Sequence, residues 1–124
     1  MIKYHHAPDI ELKAKTIAEK VGIKHDFSRI KFVRSTGSQA TRVLARCHAM
    51  PRVMQAALGM KAHYIVEVIS EQFDKMNEEQ QTKTIIHELL HVPKSMGGGF
   101  RHHDYVCNKN IESMYKMLRE NKIE

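Results

Sequence analysis

Three stretches of this chain repeat apolar residues with the period of a helix, and four others have the character of strands or a short connecting helix. Ile10, Ala14, Ile17, Ala18 and Val21 recur at three- and four-residue steps, so residues 8–21 predict a helix, with Gly22 suited to the left-handed position past its end. Ile85, Ile86, Leu89 and Leu90 form a second apolar stripe. It opens after Asn77-Glu78-Glu79-Gln80, which has the form of a capping box, and it stops at Val92-Pro93, because proline forces the residue before it out of the helical region. Val106, Ile111, Met114 and Leu118 predict a last helix, from near His103 or Asp104 to about Asn121. Residues 30–34 read as a strand closed by the turn-forming Ser35-Thr36-Gly37-Ser38, and residues 63–69 as a β-branched, nearly continuous one. Residues 43–50 place Val43, Ala45, Cys47 and Ala49 on one side of a strand, although alanines and arginines suit a helix equally. Residues 51–58 predict a short helix, with proline at its first position and Gly59 just past its end. The order implies an α+β fold, one domain over residues 1–124, with no repeat and no linker.

Composition alters this picture in one respect. Hydrophobic residues make up 42% of the chain, but aromatics only 6% and tryptophan is absent, so the eight methionines must supply much of the packing. No apolar run reaches the length of a membrane span, and the N-terminus lacks the apolar region of a signal peptide. Cys47 and Cys107 form neither a disulfide framework nor a C-x-x-C pair, which predicts a reducing, cytoplasmic location.

Charge is segregated. The net charge is +6, and residues 28–66 contain no Asp or Glu, while Arg29, Lys31, Arg34, Arg42, Arg46, Arg52 and Lys61 fall within that stretch. A basic segment at 29–61 can make a positive face for nucleic acid or an acidic partner. It can equally be a solvated surface whose neutralising acids lie elsewhere in the fold.

The second helix carries His87-Glu88-Leu89-Leu90-His91. Two imidazoles four residues apart in a helix lie on one side, a turn apart, so both can reach one metal ion. Glu88 is then placed to take a proton from a metal-bound water. A catalytic zinc normally has three protein ligands and one open position. His102 and His103, after Gly97-Gly98-Gly99, can supply the third if the loop doubles back, and His103 is preferred. Asp104 is placed to orient a ligating imidazole. The spacing is too long for the metzincin signature, and Glu112 comes too late in the last helix for a glutamate ligand. Cys107 reads as a small core cysteine rather than a ligand. His5, His6, His25, His48 and His63 are scattered and read as ordinary side chains, with His5-His6 on an exposed terminus.

The run His87 to Pro93, the glycine loop and Arg101-His102-His103-Asp104 together resemble the metallopeptidases of archaea and phages and, more distantly, the SprT-like zinc peptidases. The resemblance extends upstream through residues 64–69 and the basic stretch at 34–46. It implies a minimal zincin-like domain, whose small, mostly antiparallel sheet packs on the first helix and the motif helix, with a C-terminal helix and one strand bordering the substrate cleft. It also implies His87, His91 and His103 as ligands of one zinc ion and Glu88 as the catalytic base. His102 stands where the family pattern has proline.

These readings predict a zinc-dependent peptidase acting on peptide or protein, with an extended substrate pairing along residues 64–69. Tyr64, Arg101, His102 and Tyr105 are candidates for a second stabiliser of the oxyanion. A zinc-dependent hydrolase of nucleic acid, or a non-catalytic metal-stabilised binding module, are the alternatives.

Overall fold

The computed structural model describes residues 1–99 and 106–121. Along the chain run β1 (Lys3–His6), α1 (Pro8–Val21), a 3-10 turn (Phe27–Arg29), β2 (Ile30–Thr36), β3 (Ala45–Ala49), α2 (Arg52–Leu58), β4 (Tyr64–Ile69), α3 (Ser70–Phe73), α4 (Glu78–His91) and α5 (Asn108–Asn121). The four strands form one mixed sheet in the order β1-β2-β4-β3. The β1–β2 and β3–β4 pairings are antiparallel, and β2 lies parallel to β4. Parallel neighbours cannot be joined by a hairpin. Residues 37–63 make the crossover, and β3 within it lies on the outer side of β4.

The helices form where the apolar period placed them. Ile10, Ala14, Ile17, Ala18 and Val21 of α1 are all buried, and Gly22 ends the helix in the left-handed region at φ +79°. Asn77 accepts the Gln80 backbone N–H while the Gln80 side chain accepts the Asn77 N–H, so both halves of the capping box at the start of α4 are present. The buried side of α4 meets α1, α5 and one face of the sheet. Ile30, Phe32, Tyr64, Val66 and Val68 come up from that face to complete the core. Arg34, on the same face of β2, ties the start of α1 to the segment after α3 through Asp9 and Asp74, each at 2.7 Å. Its guanidinium holds Asp9 below the usual carboxylate range.

Four differences from the sequence reading matter. The N-terminal Lys3–His6 is a strand on an outer edge of the sheet, although its side chains are all exposed. β2 runs two residues past the expected end, to Thr36. The last helix begins at Asn108, with a bend at residues 106–107, so the expected start near 103–104 is not met. Most consequentially, β4 lies in the interior of the sheet with β2 and β3 on its two sides, so residues 64–69 offer no free edge to a substrate. The edge on that side is β3. No helix among the described residues is long and apolar enough to cross a membrane.

Candidate metal and active site

The last two turns of α4 bring His87, Glu88 and His91 together. The two imidazole Nε2 atoms are 3.2 Å apart, with the rings edge to face at a 68° interplanar angle. One ligand atom from each of His87, Glu88 and His91 lies within 4.8 Å of the others. Two nitrogens bound tetrahedrally to zinc at its usual bond length sit about 3.3 Å apart. The histidine pair therefore fits a single ion between its Nε2 atoms without rearrangement of the helix. Glu88 is 6% exposed, and burial pushes its carboxyl up to about 7.

The helix end beneath this group has its own support. Leu89 C=O would ordinarily accept the N–H four residues on, but that residue is Pro93, which has none. The ring Nε2–H of His25 donates to Leu89 C=O instead, at 3.0 Å, sharing it with the Val92 N–H. His25 is thus a buttress of the motif helix rather than an incidental side chain, and burial holds its proton affinity below the ordinary histidine value.

β3 runs beside α4. Ala45, Cys47 and Ala49 face the core side, as the alternation in residues 43–50 suggests. The Cys47 thiol is pushed up to about 12 by burial and by the nearby charge of Glu88, so it stays protonated. A cleft of about 440 Å³ opens between residues 42–45 and the α4 side chains Lys83, Thr84, His87 and Glu88, with Asn108, Ile111 and Glu112 of α5 at its end. Lys83 ties the two helices there, contacting Glu79 at 2.8 Å and Glu112 at 2.6 Å.

Beyond His91 the chain enters the glycine loop, which is clamped rather than loose as far as Gly98. Arg29 donates from Nη1 to Met96 C=O at 3.3 Å and to Ala62 C=O at 3.2 Å. Gln55 Nε2 donates to Gly97 C=O at 3.3 Å, and the Gly98 N–H donates to the Tyr64 hydroxyl at 2.9 Å. Met96 is buried and takes a left-handed φ of +50°, a strained choice for a residue with a Cβ. Its sulfur accepts the Asp26 N–H at 3.1 Å. A Cβ at Gly98 would lie 2.6 Å from Gln55 Nε2 and 3.2 Å from Met50 O, so a side chain there would displace Gln55 and strain a backbone held at φ +103°.

These contacts revise several expectations. Tyr64 is fully buried and its hydroxyl holds the loop, so it is not available as an oxyanion stabiliser. The preferred third ligand His103 and its rival His102, together with Arg101, Asp104 and Tyr105, lie outside the described residues. Cys107 is half-buried at the bend before α5. Within the acid-free stretch, Arg29 and Arg34 serve the loop and α1, and Arg46 stands 3.6 Å from Glu67. His48, on the sheet face away from the helices, contacts the same buried carboxylate at 2.8 Å. Burial pushes Glu67 up, but the neighbouring Ser35, His48 and Arg46 more than offset it, and it sits below the usual range. Arg29, Gln55 and His25 carried no sequence signal, because each acts on a backbone group far away in the chain.

No curated protein and no solved structure matches the chain. One family does: that described as "Putative phage metallopeptidase" matches residues 2–121, nearly the whole sequence. A helix that presents two histidines and a glutamate at one point, beside a cleft, is consistent with that description, and the chain belongs to the phage metallopeptidase family.

Proposed function

We propose that the protein is a zinc-dependent peptidase, built as one small zincin-like domain over residues 1–124, in which His87, His91 and His103 hold one zinc ion and Glu88 is the general base. The observation that carries the reading is the 3.2 Å approach of the two Nε2 atoms with the Glu88 carboxylate beside them, at the wall of a cleft. When bound, zinc supplies a Lewis acid that activates water near neutral pH and polarises the scissile carbonyl. The other parts are the chain's own. Glu88, fixed by the buried stripe of α4, receives a proton from the attacking water and returns it to the leaving amine. The outer edge of β3 presents backbone N–H and C=O groups with which an extended peptide can pair, holding the scissile bond alongside His87 and His91. Two free thiols, Cys47 and Cys107, are in keeping with a reducing, cytoplasmic setting.

The test is metal content and cleavage measured together. Elemental analysis is expected to find one zinc per chain, lost in His87→Ala and in His91→Ala. Glu88→Gln is expected to keep the metal and lose hydrolysis of an unfolded protein. Metal content unchanged by both histidine substitutions, or hydrolysis unchanged in Glu88→Gln, defeats the reading.

A further inference from the structure

Helix α2 is built inside out. None of its seven residues is buried, and Val53, Met54 and Leu58 are 73%, 45% and 59% exposed, followed by Met60 at 40%. Its half-buried residue is polar: Gln55 points inward and donates to Met50 C=O and Gly97 C=O at 3.4 and 3.3 Å. The helix is nevertheless sharply defined, with Pro51 at its start and Gly59 ending it at φ +64°. Val53, Met54 and Leu58 thus leave the outer side of α2 apolar without serving the core or the helix ends.

We propose that this outward face of α2 is a docking surface for apolar side chains of an unfolded polypeptide substrate, on one side of the bond to be cut. The proposal rests on the peptidase reading and adds a substrate class to it. The first argument is continuity. α2 starts three residues after the end of β3, the free edge beside α4, and it is pinned through Gln55 to the loop that follows His91. The 440 Å³ cleft lies at the other end of β3, beside residues 42–45. A chain paired with β3 spans about 17 Å over five residues. Running on past Ala49, it arrives at α2.

The second argument is size. A stable dimer needs about 800 Å² from each partner, more than a helix of two turns presents, whereas one or two peptide side chains need far less. The chemistry also fits: two methionines, a valine and a leucine make a deformable surface that accepts many apolar shapes. Such side chains are hidden in folded proteins and offered by unfolded ones.

The experiment compares the zinc-loaded wild type with a Val53→Thr, Met54→Gln, Leu58→Gln variant. All three side chains are exposed, so the fold is expected to persist, which a thermal melt checks. Two labelled peptides share a central sequence and differ in whether one flank is leucine-rich or serine-rich. The variant is expected to weaken binding of the leucine-flanked peptide, read by anisotropy, about tenfold, and to raise its KM in parallel with kcat unchanged. The serine-flanked peptide is expected to show no difference. Equal binding of the leucine-flanked peptide by both proteins overturns the proposal, even if both cleave it, and then the peptidase reading still stands. Binding that depends on α2 with neither peptide cut by the wild type overturns the substrate role of this surface, while the peptidase reading is decided separately by metal content and by Glu88→Gln. If the substitutions instead abolish only attachment to phosphatidylcholine–phosphatidylserine vesicles, or only a dimer seen in sedimentation, the face belongs to a membrane or to a second copy and the proposal is overturned.

Discussion

Helices α4 and α2 follow the same rules at their ends and opposite rules along their sides. Asn77 and Gln80 fix where α4 begins, and Pro51 and Gly59 bound α2 just as firmly. Yet α4 turns Ile85, Ile86, Leu89 and Leu90 into the core, while α2 turns Val53, Met54 and Leu58 towards solvent and faces the protein with Gln55. End signals decide where a helix starts and stops. They are silent about which side will meet the interior. The stability of α4 comes from its apolar side, whereas the apolar side of α2 is free to serve contacts with other molecules.

That contrast can be tested from its largest expected effect downwards. In activity, Glu88→Gln on α4 is expected to lower peptide cleavage about 10²–10⁴-fold, whereas Leu58→Ala on α2 leaves kcat at the wild-type value. A comparable fall in kcat for both would dissolve the distinction. In stability, Leu89→Ala removes a fully buried side chain and is expected to cost about 2–5 kcal/mol in denaturant unfolding. Leu58→Ala should stay within about 0.5 kcal/mol of the wild type. Equal costs would mean that α2 packs against the fold after all. Asn77→Ala removes half of the capping box and should cost about 1 kcal/mol, a smaller effect that separates end signals from side burial within the same helix.

The smallest effect concerns His25 and depends on pH. Its proton affinity is lowered in the folded chain by burial. Below the ordinary histidine value of about 6.5 the unfolded chain therefore binds a proton that the folded chain resists. The His25 contribution is complete above that pH and declines as the pH drops below it. His25→Gln should therefore be destabilising near pH 7, by about 1 kcal/mol. The gap between the two proteins should narrow in thermal melts as the pH is lowered towards about 5. A gap that widens would mean that the hydrogen bond to Leu89 C=O, which favours the charged ring, outweighs the burial that opposes it.

The sequence revealed those parts of the molecule whose cause is local. The α1 stripe, the capping box, the stop at Val92-Pro93 and the pairing of His87 with His91 each depend on residues a few positions apart. All of them appear in the structure as the periodicity and spacing predicted. Strand order depends on which distant segments meet, and nothing in residues 64–69 distinguishes a central strand from an edge. Hence residues 64–69 read as an available edge, whereas the edge on that side of the sheet is β3. β1 has no strand signal in the sequence because its four side chains are exposed and carry no alternation. Tyr64 illustrates a third kind of difficulty. A tyrosine near the motif suggests chemistry, but its hydroxyl meets the backbone of Gly98, thirty-four residues away.

That bond bears on how this chain can vary. Glycine-rich surface loops ordinarily absorb inserted or deleted residues with little consequence. This one is held on Met96, Gly97 and Gly98 in turn by Arg29, Gln55 and Tyr64, which come from three separate segments. One extra residue between His91 and Gly98 would push the Gly98 N–H off the Tyr64 hydroxyl and bring a different residue to the position at φ +103°, where a Cβ would displace Gln55. The distance along the chain from motif to clamp is thus a fixed measure, kept by a tyrosine at the start of the interior strand β4.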